Sequence, residues 1–169
     1  FFFSFYVAAQ MVGAGKILQK TGIITEAWPR LLGAGPETWG IVLGAIIVVE
    51  NAIIATGYNG TPVGVRNCCD GGCPRCASDA APGEGYDTCI CVHAEQNAIV
   101  LAARHGNATN LGTLYSTLRP CFGCAKEAIQ AGIREIVLPE PHEYNEDLEE
   151  VYRQLHAESG ISLRQHSGR

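Results

Sequence analysis

At 169 residues, with 47% hydrophobic and only 17% charged side chains, the chain is long enough to bury one substantial core and too apolar to be disordered. Its net charge of −5 and isoelectric point near 5.5 argue against a sequence-independent grip on a nucleic-acid backbone, which needs basic patches. The shortage of charge predicts apolar surface covered in an oligomer, and it leaves a small anionic substrate compatible, because a few local groups can outweigh the net sign.

Phe1 to Leu18 reads as a helix that is apolar nearly all round, which predicts burial against a sheet or a partner subunit. The stretch Phe1 to Gly15 lacks the basic start of a signal peptide. It is interrupted by Ser4, Gln10 and Gly13 and is too short to span a bilayer, so no membrane association is expected. Thr21 to Trp39, broken by Pro29, Pro36 and Gly33-Ala34-Gly35, reads as loops around a short helix. Ile41 to Val49 and Ala52 to Thr56 are rich in Ile and Val and flank Glu50-Asn51. That is a hairpin pattern, and its unbroken hydrophobicity predicts cover on both faces.

The segment 66–92 is too long for an ordinary connection in a compact domain. It is rich in glycine and holds Cys68, Cys69, Cys73, Cys76, Cys89 and Cys91. Four thiolates closing a structural zinc site would give it the order its composition lacks. The Cys73-x-x-Cys76 spacing makes that pair firm, and the other two ligands are open among the remaining four. Metal-knuckle spacing in a chain of this length points away from a secreted disulfide scaffold and towards a reducing cytoplasm. Beyond it, His93 to Arg104 has helical spacing, Thr113 to Leu118 alternates as a strand, and Cys121 to Ala131 is a helix stopped by Gly132. Ile133 to Leu138 is a second strand, Asn145 caps a helix to Ser159, and Ile161 to Leu163 is a candidate edge strand. Strand and helix alternating in this way imply parallel pairing through right-handed crossovers.

Two short motifs carry the chemistry: His93-Ala94-Glu95 and Pro120-Cys121-Phe122-Gly123-Cys124. One imidazole and two thiols form a catalytic type of zinc site with the fourth position open, and Glu95 stands where a carboxylate can move protons. Helices starting near His93 and Cys121 would point both N-terminal dipoles at the metal and favour thiolate. Either motif alone is common, and a purely structural zinc in a non-catalytic oligomeric module is the competing reading. Together, H-x-E and P-C-x-x-C form the signature of zinc nucleobase deaminases.

Gly57–Pro62, Val92–Val100 and Thr117–Ile133 resemble the deoxycytidylate (dCMP) deaminase family of the cytidine deaminase superfamily, and the cysteine-rich segment resembles the extra zinc loop of many bacterial and fungal members. The likeness runs from about Leu43 to Leu138. Where relatives carry several basic residues before the first strand, this chain has Trp39-Gly40-Ile41-Val42-Leu43-Gly44. The resemblance implies a three-layer α/β/α sandwich with a five-stranded mixed sheet, a homo-oligomer that is hexameric in many relatives, and one domain over the whole chain. It implies zinc on His93, Cys121 and Cys124, Glu95 as proton shuttle, and Asn59 against the substrate sugar. Cys68, Cys73, Cys76 and Cys91 would hold a second zinc, with Cys89 as the alternative. Arg119 and Arg66 are candidates for a substrate phosphate, and Tyr115 and Tyr144 for stacking on a base. The expected reaction is hydrolysis of dCMP to dUMP and ammonia, with a nucleoside triphosphate admitted as effector. A different nucleoside or a base in RNA keeps the chemistry and changes the substrate.

Overall fold

The computed structural model describes residues 44–67, 70–80, 84–139 and 143–166. The expected helix over Phe1–Leu18 and the loops of Thr21–Trp39 lie outside them. Ala45–Val49 (β1) and Ala52–Gly57 (β2) form the expected antiparallel hairpin, with a register shift between Ile47 and Val48. Both turn residues have positive φ, Glu50 at 50° and Asn51 at 65°. Asn tolerates that conformation readily and Glu does so rarely. Ala94–Arg104 (α1) follows the cysteine-rich segment, then Thr113–Ser116 (β3), Phe122–Gln130 (α2), Glu135–Leu138 (β4), Glu146–Ser159 (α3) and Ser162–Gln165 (β5).

The strand order is β2-β1-β3-β4-β5, with β1 antiparallel to both neighbours and β3, β4 and β5 mutually parallel. This is the five-stranded mixed sheet expected, and the two parallel crossovers carry α2 and α3. α1 packs across β2, β1 and β3 and touches α2, which in turn touches α3. The core lies between that helical layer and the sheet: Ile47, Leu114, Ile136 and Leu138 from strands, Ala94, Ala98 and Ala128 from helices. Alanine at Ala94, Ala98 and Ala102, all buried, lets the α1 backbone come close to the strands. Each fully buried Ile or Leu contributes about 2 kcal/mol.

Asn145 caps α3 by accepting the Leu148 N–H at 3.0 Å, and Gly160 ends it at φ 69°. β5 is exposed along its length and carries Ser, Arg and Gln, the composition expected of a strand at a sheet edge. The strand expected over Thr113–Leu118 stops at Ser116, where the chain turns to deliver Pro120 and Cys121 to the start of α2.

Candidate metal centre

His93 and Cys121 are the N-cap residues of α1 and α2, both with extended backbone, and Cys124 lies in the first turn of α2. The two helix starts meet above the carboxyl end of β3, the edge of an open α/β sheet where ligand sites form. Gly60 and Val92 exchange backbone hydrogen bonds of 3.2 and 2.8 Å, which ties the loop after β2 to the residue before His93. Asn59 Oδ1 accepts the Ala94 N–H at 2.8 Å, and Gln96 Oε1 accepts the His93 N–H at 3.1 Å. The N-terminal donors of α1 are thus partly satisfied by side chains, one from a loop 35 residues away in sequence.

Three donor atoms converge there. Cys121 Sγ is 3.3 Å from His93 Nδ1, Cys124 Sγ is 3.4 Å from the same nitrogen, and the two sulfurs are 3.4 Å apart. Zinc at about 2.3 Å from sulfur and 2.0 Å from nitrogen makes tetrahedral edges of roughly 3.5–3.8 Å. A triangle a few tenths of an ångström tighter accepts the ion by a small outward shift, and the donor set suits zinc. The thiol of Cys124 beside Cys121, followed by the His93 contact, lowers the Cys121 pKa to about 4, so one thiolate is already favoured. The Cys121 contact raises the His93 pKa, and Cys124 is driven up by its neighbour's sulfur and by burial.

Glu95, one residue into α1, is 8% exposed. Desolvation raises its pKa, the condition in which a carboxyl can both hold and release a proton near neutral pH. Ser116 Oγ donates to Glu95 Oε1 at 2.5 Å. The motifs do not reveal this hydroxyl. Alternation along β3, which turns Leu114 and Ser116 towards the helices, is the signal that leads to it.

A cleft of about 1180 Å³ reaches His93 and Cys121 at one end and runs along α1 and α2 past Val100, Lys126 and Gln130. Tyr86 and Tyr144, neither of them a motif residue, flank its metal end. The Tyr86 ring and the His93 imidazole pack edge-to-face with centroids 5.2 Å apart, and the Arg75 guanidinium lies over the Tyr86 ring at 4.4 Å from its centroid.

The remaining candidates divide. Asn59 is in place beside the start of α1. Arg119 does not stand open at the cleft mouth: Nη1 pairs with Glu149 at 2.6 Å and the guanidinium lies over Tyr152 at 4.3 Å, because α3 packs against the Arg119-Pro120 turn. Arg66 is exposed and donates to Gly71 O at 2.9 Å within its own loop, outside the cleft lining. Tyr115 points away from the site, since the pleat turns it to the sheet face opposite Ser116, where it interacts with Arg164.

In the cysteine-rich segment, Cys73, Cys76, Cys89 and Cys91 place their sulfurs within 4.8 Å of one another. Cys89, the alternative ligand offered by the sequence, stands in this set with Cys73, Cys76 and Cys91; Cys68 lies outside the described residues. Backbone donors from Cys76 and Ile90 overcome burial and lower the Cys73 pKa to about 6, whereas burial and the Cys73 sulfur raise Cys76 to about 12. Cys73, Cys76 and Cys89 carry free thiols.

A family model described as "Cytidine and deoxycytidylate deaminase zinc-binding region" matches residues 33–140. Deoxycytidylate deaminase of Schizosaccharomyces pombe is 43% identical over 124 residues, 73% of this chain and 37% of that protein. The Saccharomyces cerevisiae deoxycytidylate deaminase is 40% identical over 125 residues, 74% of this chain and 38% of that one. The chain thus spans less than two-fifths of the length of these two relatives. Among solved structures, the dCMP deaminase of cyanophage S-TIM5 in complex with dCMP and dUMP superposes with a TM-score of 0.53 at 30% identity, over 73% of this chain and 80% of that one.

Proposed function

Since this chain belongs to the cytidine and deoxycytidylate deaminase family, we propose that it hydrolyses a cytosine nucleotide, dCMP, to dUMP and ammonia. The observation that carries the reading is Glu95: a buried carboxyl two residues after a zinc-type ligand, outside the ligand set, with a raised pKa. A structural zinc knuckle has no use for such a group. The substrate is supported by the deoxycytidylate deaminases named above and by the phage enzyme that holds dCMP and dUMP.

His93, Cys121 and Cys124 would hold the zinc, and zinc bound there supplies Lewis acidity that lets water ionise near neutral pH. Glu95 takes a proton from the attacking water and returns it to ring N3 as oxygen bonds to C4. It then moves the second proton from that oxygen to the amino group, which leaves as ammonia while C4 becomes a carbonyl. Asn59, whose carbonyl oxygen accepts the Ala94 N–H, stands beside the start of α1, where it would contact the substrate sugar. Tyr86 and Tyr144 flank the entrance, where they can shield the base from water. Cys73, Cys76, Cys89 and Cys91, as thiolates, would hold a second, structural zinc. That demand favours a reducing cytoplasm, and among the described residues no helix is long and apolar enough to cross a membrane. Exposed Val100 and Leu111, with the low charge content, favour a homo-oligomer.

Ammonia release measured across dCMP, deoxycytidine, dCTP and adenosine substrates tests the reading. Strong preference for dCMP supports it. Turnover of none would leave the non-catalytic zinc module as the better account.

A further inference from the structure

Ser116 is 1% exposed and its surroundings on β3 and β4 are apolar, with Leu114, Ile136 and Leu138 all fully buried. A hydroxyl at such a position is unfavourable unless it finds a partner. Its partner here is the Glu95 carboxylate, with Ser116 Oγ donating to Oε1 at 2.5 Å. The two groups come from different elements, α1 and β3, 21 residues apart in sequence. Ser116 is anchored independently of the helix by its place in the sheet, where it pairs with Ala45 of β1.

The terminal torsion of a glutamate is broad and nearly two-fold, so the two carboxylate oxygens of an unrestrained side chain exchange places at little cost. The Ser116 hydroxyl, fixed in the sheet, ends that equivalence, and the Glu95 backbone N–H is a second donor to the same carboxylate. We propose that Ser116 is a positioning residue for the proposed deamination: by holding Oε1 it fixes the plane of the Glu95 carboxylate, and Oε2 is the oxygen that carries the protons. Both transfers then run through one atom. Oε2 takes a proton from water and delivers it to N3, then takes the proton of the new C4 hydroxyl and delivers it to the departing amine, so that water and dCMP become dUMP and ammonia. An arrangement with Oε1 free to rotate would spend part of its time with neither oxygen aimed at both sites, and orientation of this kind acts on turnover more than on binding.

This inference rests on the deaminase reading, and its test separates the two. Ser116→Ala, Ser116→Thr and Ser116→Val are prepared as zinc-loaded full chains. Zinc content, melting temperature, dUMP affinity by calorimetry, and kcat and KM for dCMP are measured for each. Thr and Val have nearly the same shape and differ in the hydroxyl, so their comparison removes packing from the readout. Expected is a loss of roughly 10- to 100-fold in kcat for Ala and Val, the scale of one hydrogen bond to a charged group, with zinc content, KM and dUMP affinity unchanged and most of kcat restored by Thr. The crystal structure of Ser116→Ala should show the Glu95 carboxylate rotated or in two conformers. Equal kcat in Thr and Val, full kcat in Ala, or a fall confined to KM overturns the role of Ser116 while leaving the deaminase reading intact. A wild-type protein that holds zinc and releases no ammonia from any of the substrates above overturns both.

Discussion

Gly57 at the end of β2 lies so close to Ala94 at the start of α1 that a β-carbon on Gly57 would sit 1.9 Å from the Ala94 carbonyl oxygen and 2.6 Å from the Ala98 nitrogen. Both obstacles are backbone, so no side-chain rotation relieves them. The helix that begins with His93 and carries Glu95 is seated on the sheet by the absence of a single methyl group.

Gly57→Ala must therefore lift the first turn of α1 or fail to fold. Overpacking of this kind costs about 3 kcal/mol or more. Expected are a large drop in the urea midpoint and loss of zinc from the His93 site, measured by denaturation and by metal analysis of the folded fraction. Wild-type stability with full zinc would refute the close seating.

Glu95→Gln keeps the shape and the acceptor oxygen for Ser116 and removes the proposed proton carrier. Turnover of dCMP should fall by roughly 10²- to 10⁴-fold, the usual scale for general acid–base catalysis, with zinc retained. Near-full ammonia release from this variant would remove Glu95 from the mechanism.

Metal analysis distinguishes the ligands of the cysteine-rich segment. Under reduction the wild type should bind two zinc ions per chain, and Cys89→Ser and Cys76→Ser should each bind one while leaving the His93 site loaded. Two zinc ions retained in Cys89→Ser would remove Cys89 from the set.

The Arg119–Glu149 pair stands at the other side of the site. Arg119 is 8% and Glu149 23% exposed at the side chain, and Glu149 also accepts the Tyr144 N–H at 2.8 Å. Burial disfavours the charged Glu149, yet the Arg119 contact outweighs it and the pKa is lowered. Glu149→Gln leaves a largely buried guanidinium without its counter-charge and should cost about 3 kcal/mol. Because Tyr152, under that guanidinium, donates to Pro120 O at 2.5 Å, the same change should loosen the Cys121 turn. The double variant Arg119→Met/Glu149→Gln should recover part of the loss in urea denaturation; additive losses would show that the two residues do not act as a pair.

Glu135 and Arg164 join β4 to the edge strand through contacts of 2.7 and 3.2 Å, and the hydrogen bond from Arg164 lowers the Glu135 pKa below its ordinary 4.5. A depressed carboxylate contributes stability above its unfolded pKa and loses it as pH falls through the folded one. Both side chains are partly exposed, so the contribution is at most about 1 kcal/mol. Glu135→Gln should be slightly less stable than the wild type at pH 7, with the difference vanishing as pH drops below 4.5. A difference that persists at low pH would exclude the ion pair as its source.

Local signals are strong where one residue type has one strong use. The hairpin at Glu50-Asn51, the cap at Asn145, the crossover pattern and the H-x-E and P-C-x-x-C motifs are all short-range chemistry, written in neighbours of the same segment. The contacts of Arg119, Arg66 and Tyr115 are not legible in their own segments, because they depend on a carboxylate on α3, a loop carbonyl and the pleat of β3.

The sequence by itself determined that His93, Cys121 and Cys124 form one donor set, that an acid stands two residues after the histidine, and that strands and helices alternate, since periodicity and metal chemistry act over a few residues. Only the tertiary structure decided that Cys89 joins the second thiol cluster, that Arg119 is committed to Glu149, and that Ser116 grips Glu95. Those choices depend on which backbones approach within a few ångströms, and packing across a sheet sets that distance without leaving a mark in the local pattern.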